Sequence, residues 1–116
     1  MSAASPITTH VLDTSRGHPA AGISVKLERL SGATNWQAIA EGKTNSDGRI
    51  TDLLPSGSLV VGRYRLIFAV ADYFAANGVT SFYPQVTVEF QVAAQVEHYH
   101  VPLLLSPFGY STYRGS

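Results

Sequence analysis

The chain has no cysteine in its 116 residues. That excludes a disulfide framework, a thiolate metal site and a thiol nucleophile. Charge is scarce as well. Asp, Glu, Lys and Arg make up 14% of the chain, well below the usual level of about a quarter. Eight basic residues balance eight acidic ones, and no basic stripe collects anywhere, which argues against nucleic-acid or anionic-membrane partners. Sparse charge suits a surface partly covered by another copy, because interface cores are depleted in charge. No apolar run approaches the ~20 residues of a membrane span. The opening stretch to His10 lacks a basic segment followed by an apolar one, and Arg114-Gly115-Ser116 is not a peroxisomal address. The cytoplasm is therefore the expected compartment. Repeats, linkers and low-complexity segments are also missing. One domain over residues 1–116 is expected, with residues 1–6 as a flexible lead-in.

What the chain does contain is period-two alternation. Val86, Val88, Phe90 and Val92 alternate with Thr87, Glu89 and Gln91, as a half-buried strand requires. Ile23, Val25 and Leu27 do the same with Ser24, Lys26 and Glu28. The run Tyr64 to Val70 is more continuously apolar and suits a central strand. Further strands are expected over Ile7–Leu12, Trp36–Gly42, Arg49–Leu53, His98–Leu105 and Tyr110–Tyr113. Turn-forming stretches rich in Gly, Pro, Asn and Ser separate them, including Ser15 to Pro19 and Asn45 to Gly48. One segment breaks the pattern: Ala71 to Gly78 has alanines and an Asn-Gly stop, which predicts a short helix. Trp36 and Phe68 are expected in the core. About eight short strands and one helix make a mainly β, two-sheet sandwich.

Parity places the polar candidates. With Val101, Leu103 and Leu105 inward, His98 and His100 point to the opposite face. Ile7, Thr9 and Val11 share one side of the first strand and put His10 on the other. A lone outward histidine is ordinarily a tolerated surface residue. Three that can meet are a different matter. They could ligate zinc as His-x-His plus a third ligand, or serve as general acid and base, since imidazole titrates near pH 6.5. Arg49, just after the Asn45 to Gly48 turn, is either a solvated edge residue or a guanidinium fork for a carbonyl-rich or anionic ligand. Arg114 offers the same choice. The C-terminal segment carries Phe108, Tyr110 and Tyr113, an unusual aromatic load for a terminus, and reads as a tail with a docking place. From these residues alone no substrate follows.

Three segments resemble the 5-hydroxyisourate hydrolases, the transthyretin-related proteins. They are Thr9-His10-Val11-Leu12-Asp13-Thr14 followed by Gly17-His18-Pro19-Ala20, then Gly48-Arg49, and then His98-Tyr99-His100-Val101-Pro102-Leu103-Leu104-Leu105-Ser106-Pro107, running on to Tyr113-Arg114-Gly115-Ser116. The resemblance implies a transthyretin-like sandwich of two four-stranded sheets. It implies a homotetramer, a dimer of dimers, with sites between the dimers. It also implies hydrolysis of a ring amide of 5-hydroxyisourate to 2-oxo-4-hydroxy-4-carboxy-5-ureidoimidazoline in urate breakdown, with no metal and no cofactor. The positions it carries over are His10, Arg49, His100 and Ser116 for catalysis, and His10, Arg49, Tyr113 and Arg114 for substrate binding, with His98 in a supporting place. The rival reading is a transthyretin-type carrier of small ligands, which would use the same fold without chemistry.

Overall fold

The computed structural model describes residues 5–116, and within them it forms nine strands and one helix. In chain order these are β1 (Ile7–Asp13), β2 (His18–Pro19), β3 (Ser24–Ser31), β4 (Asn35–Lys43), β5 (Arg49–Ile50), β6 (Gly62–Phe68), α1 (Val70–Ala76), β7 (Val86–Val92), β8 (Tyr99–Ser106) and β9 (Gly109–Thr112). One sheet runs β4-β3-β6-β7. The other runs β2-β1-β8-β9, with β5 also pairing on β1. The expected mainly β two-sheet sandwich with one short helix is therefore the observed architecture. The second sheet has five strands rather than four, because two short strands share one edge of β1. Strand β2 forms in a stretch read as a loop. The chain turns at Gly17, whose N–H donates to the Asp13 carbonyl, and lays His18 and Pro19 against Asp13 and Leu12. The Ala20 N–H still donates to the Val11 carbonyl, but the Val11 N–H donates to the Gly48 carbonyl, so the pairing stops there.

The core follows the alternation. Ile7, Val11, Val25, Leu27, Leu66, Phe68, Leu103 and Leu105 are all essentially inaccessible and come from both sheets. Trp36 does not join them. It is half-buried on edge strand β4, with the Arg65 guanidinium 4.2 Å from its ring centroid. Arg65 is held in turn by Glu28 at 2.6 Å. A planar cation covers the indole there, in place of the core. Four of the six lead-in residues, 1–4, lie outside the described residues. Ser5 is buried, and its hydroxyl donates to the Ile7 carbonyl and accepts from the Leu54 N–H.

Helix α1 is pinned by a buried carboxylate. Asp13, at the end of β1, is fully buried. It accepts from the Ser15 N–H at 3.0 Å, the Ser15 hydroxyl at 2.6 Å and the Tyr73 hydroxyl at 2.8 Å. Burial alone would raise its pKa, but the hydrogen bonds from Ser15 and Tyr73 outweigh burial and hold it below the usual 3.8. Its contribution to stability is therefore present above the unfolded value and is lost as pH falls through the lower folded one. Tyr73→Phe should cost about 1.5–3 kcal/mol in urea unfolding at neutral pH, as loss of a bond to a charged group does. Acid unfolding of the variant should begin at higher pH. An unchanged acid limb would mean that Ser15 alone satisfies Asp13.

Candidate active site

Strand β1 is the spine of the site. On one side it pairs in parallel with β8, which sets Thr8 opposite His100 and His10 opposite Pro102. On the other it pairs antiparallel with β5, which sets His10 opposite Arg49. Residues directly opposite on neighbouring strands share a face, with Cβ atoms ~4.5–5.5 Å apart in an antiparallel pair. Thr8, His10, Arg49 and His100 therefore share the outer face of this sheet, as the inward burial of Ile7, Val11, Tyr99, Val101 and Leu103 requires.

A local turn delivers Arg49. The Asn45 side-chain oxygen accepts from the N–H groups of Asp47 and Arg49, and the Asn45 carbonyl accepts from the Gly48 N–H. Gly48 has φ of 73°, and its carbonyl accepts from the Val11 N–H at 2.8 Å. A Cβ at this position would lie 2.4 Å from the Val11 carbonyl oxygen. Only glycine lets the turn press onto β1 this closely, and the next residue is the arginine.

The tail closes the other side. The Gly115 N–H donates to the His100 carbonyl at 2.8 Å, and the two residues form an antiparallel bridge. A Cβ on Gly115 would fall 2.5 Å from His100 Cδ2 and 3.1 Å from Pro102 Cγ. The tail backbone thus lies directly on the imidazole and leaves Ser116 over the site. Arg49, Thr51, Thr8, Thr9, His98, His100 and Ser116 line an open cleft of about 250 Å³.

Inside the cleft, the Thr8 hydroxyl sits between two imidazoles, 3.0 Å from His98 Nε2 and 2.8 Å from His100 Nδ1. Burial lowers the pKa of His100, and the charges of Arg49, His98 and His10 lower it further. Burial lowers His10 too, with help from Arg49, against a smaller opposing influence from the Asp47 backbone and carboxylate. Both rings are held below the usual 6.5, so both are neutral at pH 7 and able to take up a proton.

The structure thus brings together four of the residues singled out from sequence for catalysis: His10, Arg49, His100 and Ser116. His98 joins them through Thr8. It does not bring in Arg114, whose guanidinium pairs with Glu97 at 3.0 Å and lies 4.6 Å from the Tyr99 ring centroid. Tyr113 and Arg114 line a different hollow of about 230 Å³, bounded by His100, Val88 and Phe90. Two residues were missed in the sequence. Thr8 could have been found by parity, because it stands two residues before His10 on the same face. Gly115 stands in the terminal Tyr113-Arg114-Gly115-Ser116 run that carries the resemblance, but nothing in that run shows that its missing side chain is what matters. Among the described residues no group of three His, Asp or Glu side chains converges as a metal would require. Two neutral imidazoles beside a guanidinium suit water activation next to a developing oxyanion.

A site of that kind on a β-sandwich defines a hydrolase-like protein on a fold that also serves simple ligand binding. The profile of the HIUase/Transthyretin family matches residues 7–115, and the chain belongs to that family. The 5-hydroxyisourate hydrolase of Deinococcus radiodurans is 52% identical over 115 residues, covering 95% of this chain and 95% of that protein. Among solved structures, the 5-hydroxyisourate hydrolase of Klebsiella pneumoniae superposes with a TM-score of 0.82 at 36% identity, over 95% of this chain and 92% of that one. Sea bream transthyretin in complex with thyroxine superposes with a TM-score of 0.91 at 31% identity, over 96% and 95%.

Proposed function

We propose that this chain is a 5-hydroxyisourate hydrolase, opening a ring amide of its substrate to give 2-oxo-4-hydroxy-4-carboxy-5-ureidoimidazoline. The observation that carries the reading is that Arg49, His100 and Ser116 line one cleft, with His10 opposite Arg49 on the same sheet face. Backbone superposition does not carry it, because thyroxine-bound transthyretin superposes on this chain more closely than the hydrolase does, at a TM-score of 0.91 against 0.82. A carrier has no use for paired neutral imidazoles beside a guanidinium.

In the proposed reaction His100 takes a proton from water, and the resulting hydroxide adds to the ring carbonyl carbon. Arg49 faces the oxyanion that forms. The carbon–nitrogen bond then breaks, and the ring nitrogen leaves with the proton that His100 took from water, while His10, opposite Arg49, orients the water. Ser116 borders the substrate, and Tyr113 and Arg114 support the tail from its far side. The test is absorbance decay of freshly generated 5-hydroxyisourate with purified protein, after subtraction of spontaneous decay. Binding of an aromatic ligand without turnover would favour the carrier.

The tail supplies a sharper check. Gly115→Ala must push either the tail or the His100 ring aside by the clash described above. A misplacement of about 1 Å can cost ~10²-fold in rate, and a loss of that order in kcat is expected with little change in Tm. A variant as fast as the wild type would show that the tail's seat on His100 has no part in turnover.

The proposed assembly is a homotetramer, a dimer of dimers. β7 and β9 end their sheets without a further strand among the described residues. Phe82, Phe108 and Tyr110 are exposed nearby, and the cleft opens on the outer face of its sheet. A sedimentation mass of four chains is the expected result. No helix among the described residues is long and apolar enough to cross a membrane.

A further inference from the structure

We propose that His98 and Thr8 form a hydrogen-bonded chain that fixes which ring nitrogen of His100 is free, making both of them positioning residues for that imidazole. The inference deepens the hydrolase reading and rests on it for the role of His100 as base.

The argument starts from proton counting. A hydroxyl has one hydrogen to give and lone pairs to accept. Thr8 is 5% exposed, and its oxygen lies within hydrogen-bond distance of a nitrogen on each ring. It can donate to only one of them. If it donates to His100 Nδ1, then neutral His100 must carry its hydrogen on Nε2, and His98 Nε2 must donate to Thr8. If it donates to His98 Nε2, the order reverses. His100 Nδ1–H then donates to Thr8, and His100 Nε2 is left with a bare lone pair. Only the second arrangement makes His100 a base at the nitrogen not engaged by Thr8. The Arg49 charge acts on His100, and a cation favours a bare lone pair over an N–H.

His98 is the control point. It is exposed, whereas His100 is half-buried. An Nε2 on His98 without a hydrogen accepts from Thr8 and leaves Nε2 of His100 bare, whereas an Nε2–H on His98 turns the Thr8 hydrogen to His100 Nδ1 and puts a hydrogen on His100 Nε2. The groups facing this pair are His10 from β1, Arg49 from β5, the Ser116 end, and the adjacent Glu97 with Arg114, whose guanidinium also reaches the His98 carbonyl at 3.5 Å.

The ring nitrogens can be read directly by two-bond nitrogen–proton NMR of the histidines, above the pH at which they charge. Wild type should show His100 as the Nδ1–H form. Thr8→Val, close in shape but unable to hydrogen-bond, should shift His100 toward the Nε2–H form that a free imidazole favours. It should lower kcat by about tenfold or more with KM little changed. Thr8→Ser should restore both. His98→Gln leaves a carbonyl that can accept from Thr8, so it should keep His100 in the Nδ1–H form. A Thr8→Val protein with the wild-type tautomer and kcat, or a His98→Gln protein with His100 in the Nε2–H form, would overturn the proposal. Wild-type protein without turnover would sink the hydrolase reading instead, and the tautomer comparison would still report on the chain.

Discussion

His100→Asn should lower kcat on 5-hydroxyisourate by ~10²–10⁴-fold, the range expected when a positioned general base is removed. Asparagine is the informative choice. Its amide can still meet Thr8, and the backbone carbonyl of residue 100 can still accept from Gly115, so the tail keeps its hydrogen bond. What disappears is the capacity to take a proton. KM should change little, because Arg49 and the cleft walls remain. The wild-type acid limb gives a second handle. Burial comes first among the influences that lower His100, and Arg49 second. Protonation, and with it loss of activity, should therefore set in below the ordinary 6.5. The sign for stability is the same. A histidine lowered on folding leaves the unfolded chain holding more protons between the two values, so stability falls as pH drops through that window. An asparagine variant with near-wild-type turnover above background would remove His100 from the chemistry.

Alternation made most of the sheets legible. Val86–Val92 is strand β7 with the expected bounds, and the Asn77-Gly78 stop ends helix α1 at Ala76. It also put His10 and His100 on an outer face. What alternation could not give is which strands are neighbours. The parallel pairing of β1 with β8 joins residues 92 positions apart, as the Thr8–His100 bond shows, and no local signal encodes such a pairing. The same limit hid Thr8, which reads as an ordinary strand former until His98 and His100 are set beside it. Arg114 was hidden for a different reason. Sequence shows that a guanidinium is available, but Glu97 and Tyr99 decide where it goes. Trp36 shows the converse, since a large apolar side chain can be covered by a paired arginine instead of a core. Tail docking was legible from its aromatics. Its mechanism was not, because it depends on the absence of a side chain at Gly115.

Arg49→Gln should produce two separable effects, and Arg49→Lys should split them. Arg49 is exposed at the start of β5, so neither change should disturb the core. Glutamine removes the charge that would face the oxyanion. Loss of one such donor costs ~10²–10³-fold in kcat elsewhere, and a loss of that size is expected here. The charge also helps to lower both histidines, second only to burial in each case. Without it His10 and His100 hold protons more readily, so the acid limb of kcat should move to higher pH. Lysine keeps a positive charge but loses the planar fork that can hold two oxygens at once. Its acid limb should stay near that of the wild type while kcat falls and KM rises. If glutamine and lysine gave the same limb, Arg49 would act on the histidines by geometry rather than charge. If both kept wild-type kcat, no oxyanion could be forming against this side chain, and the proton transfers between water, imidazole and ring nitrogen would have to proceed without it.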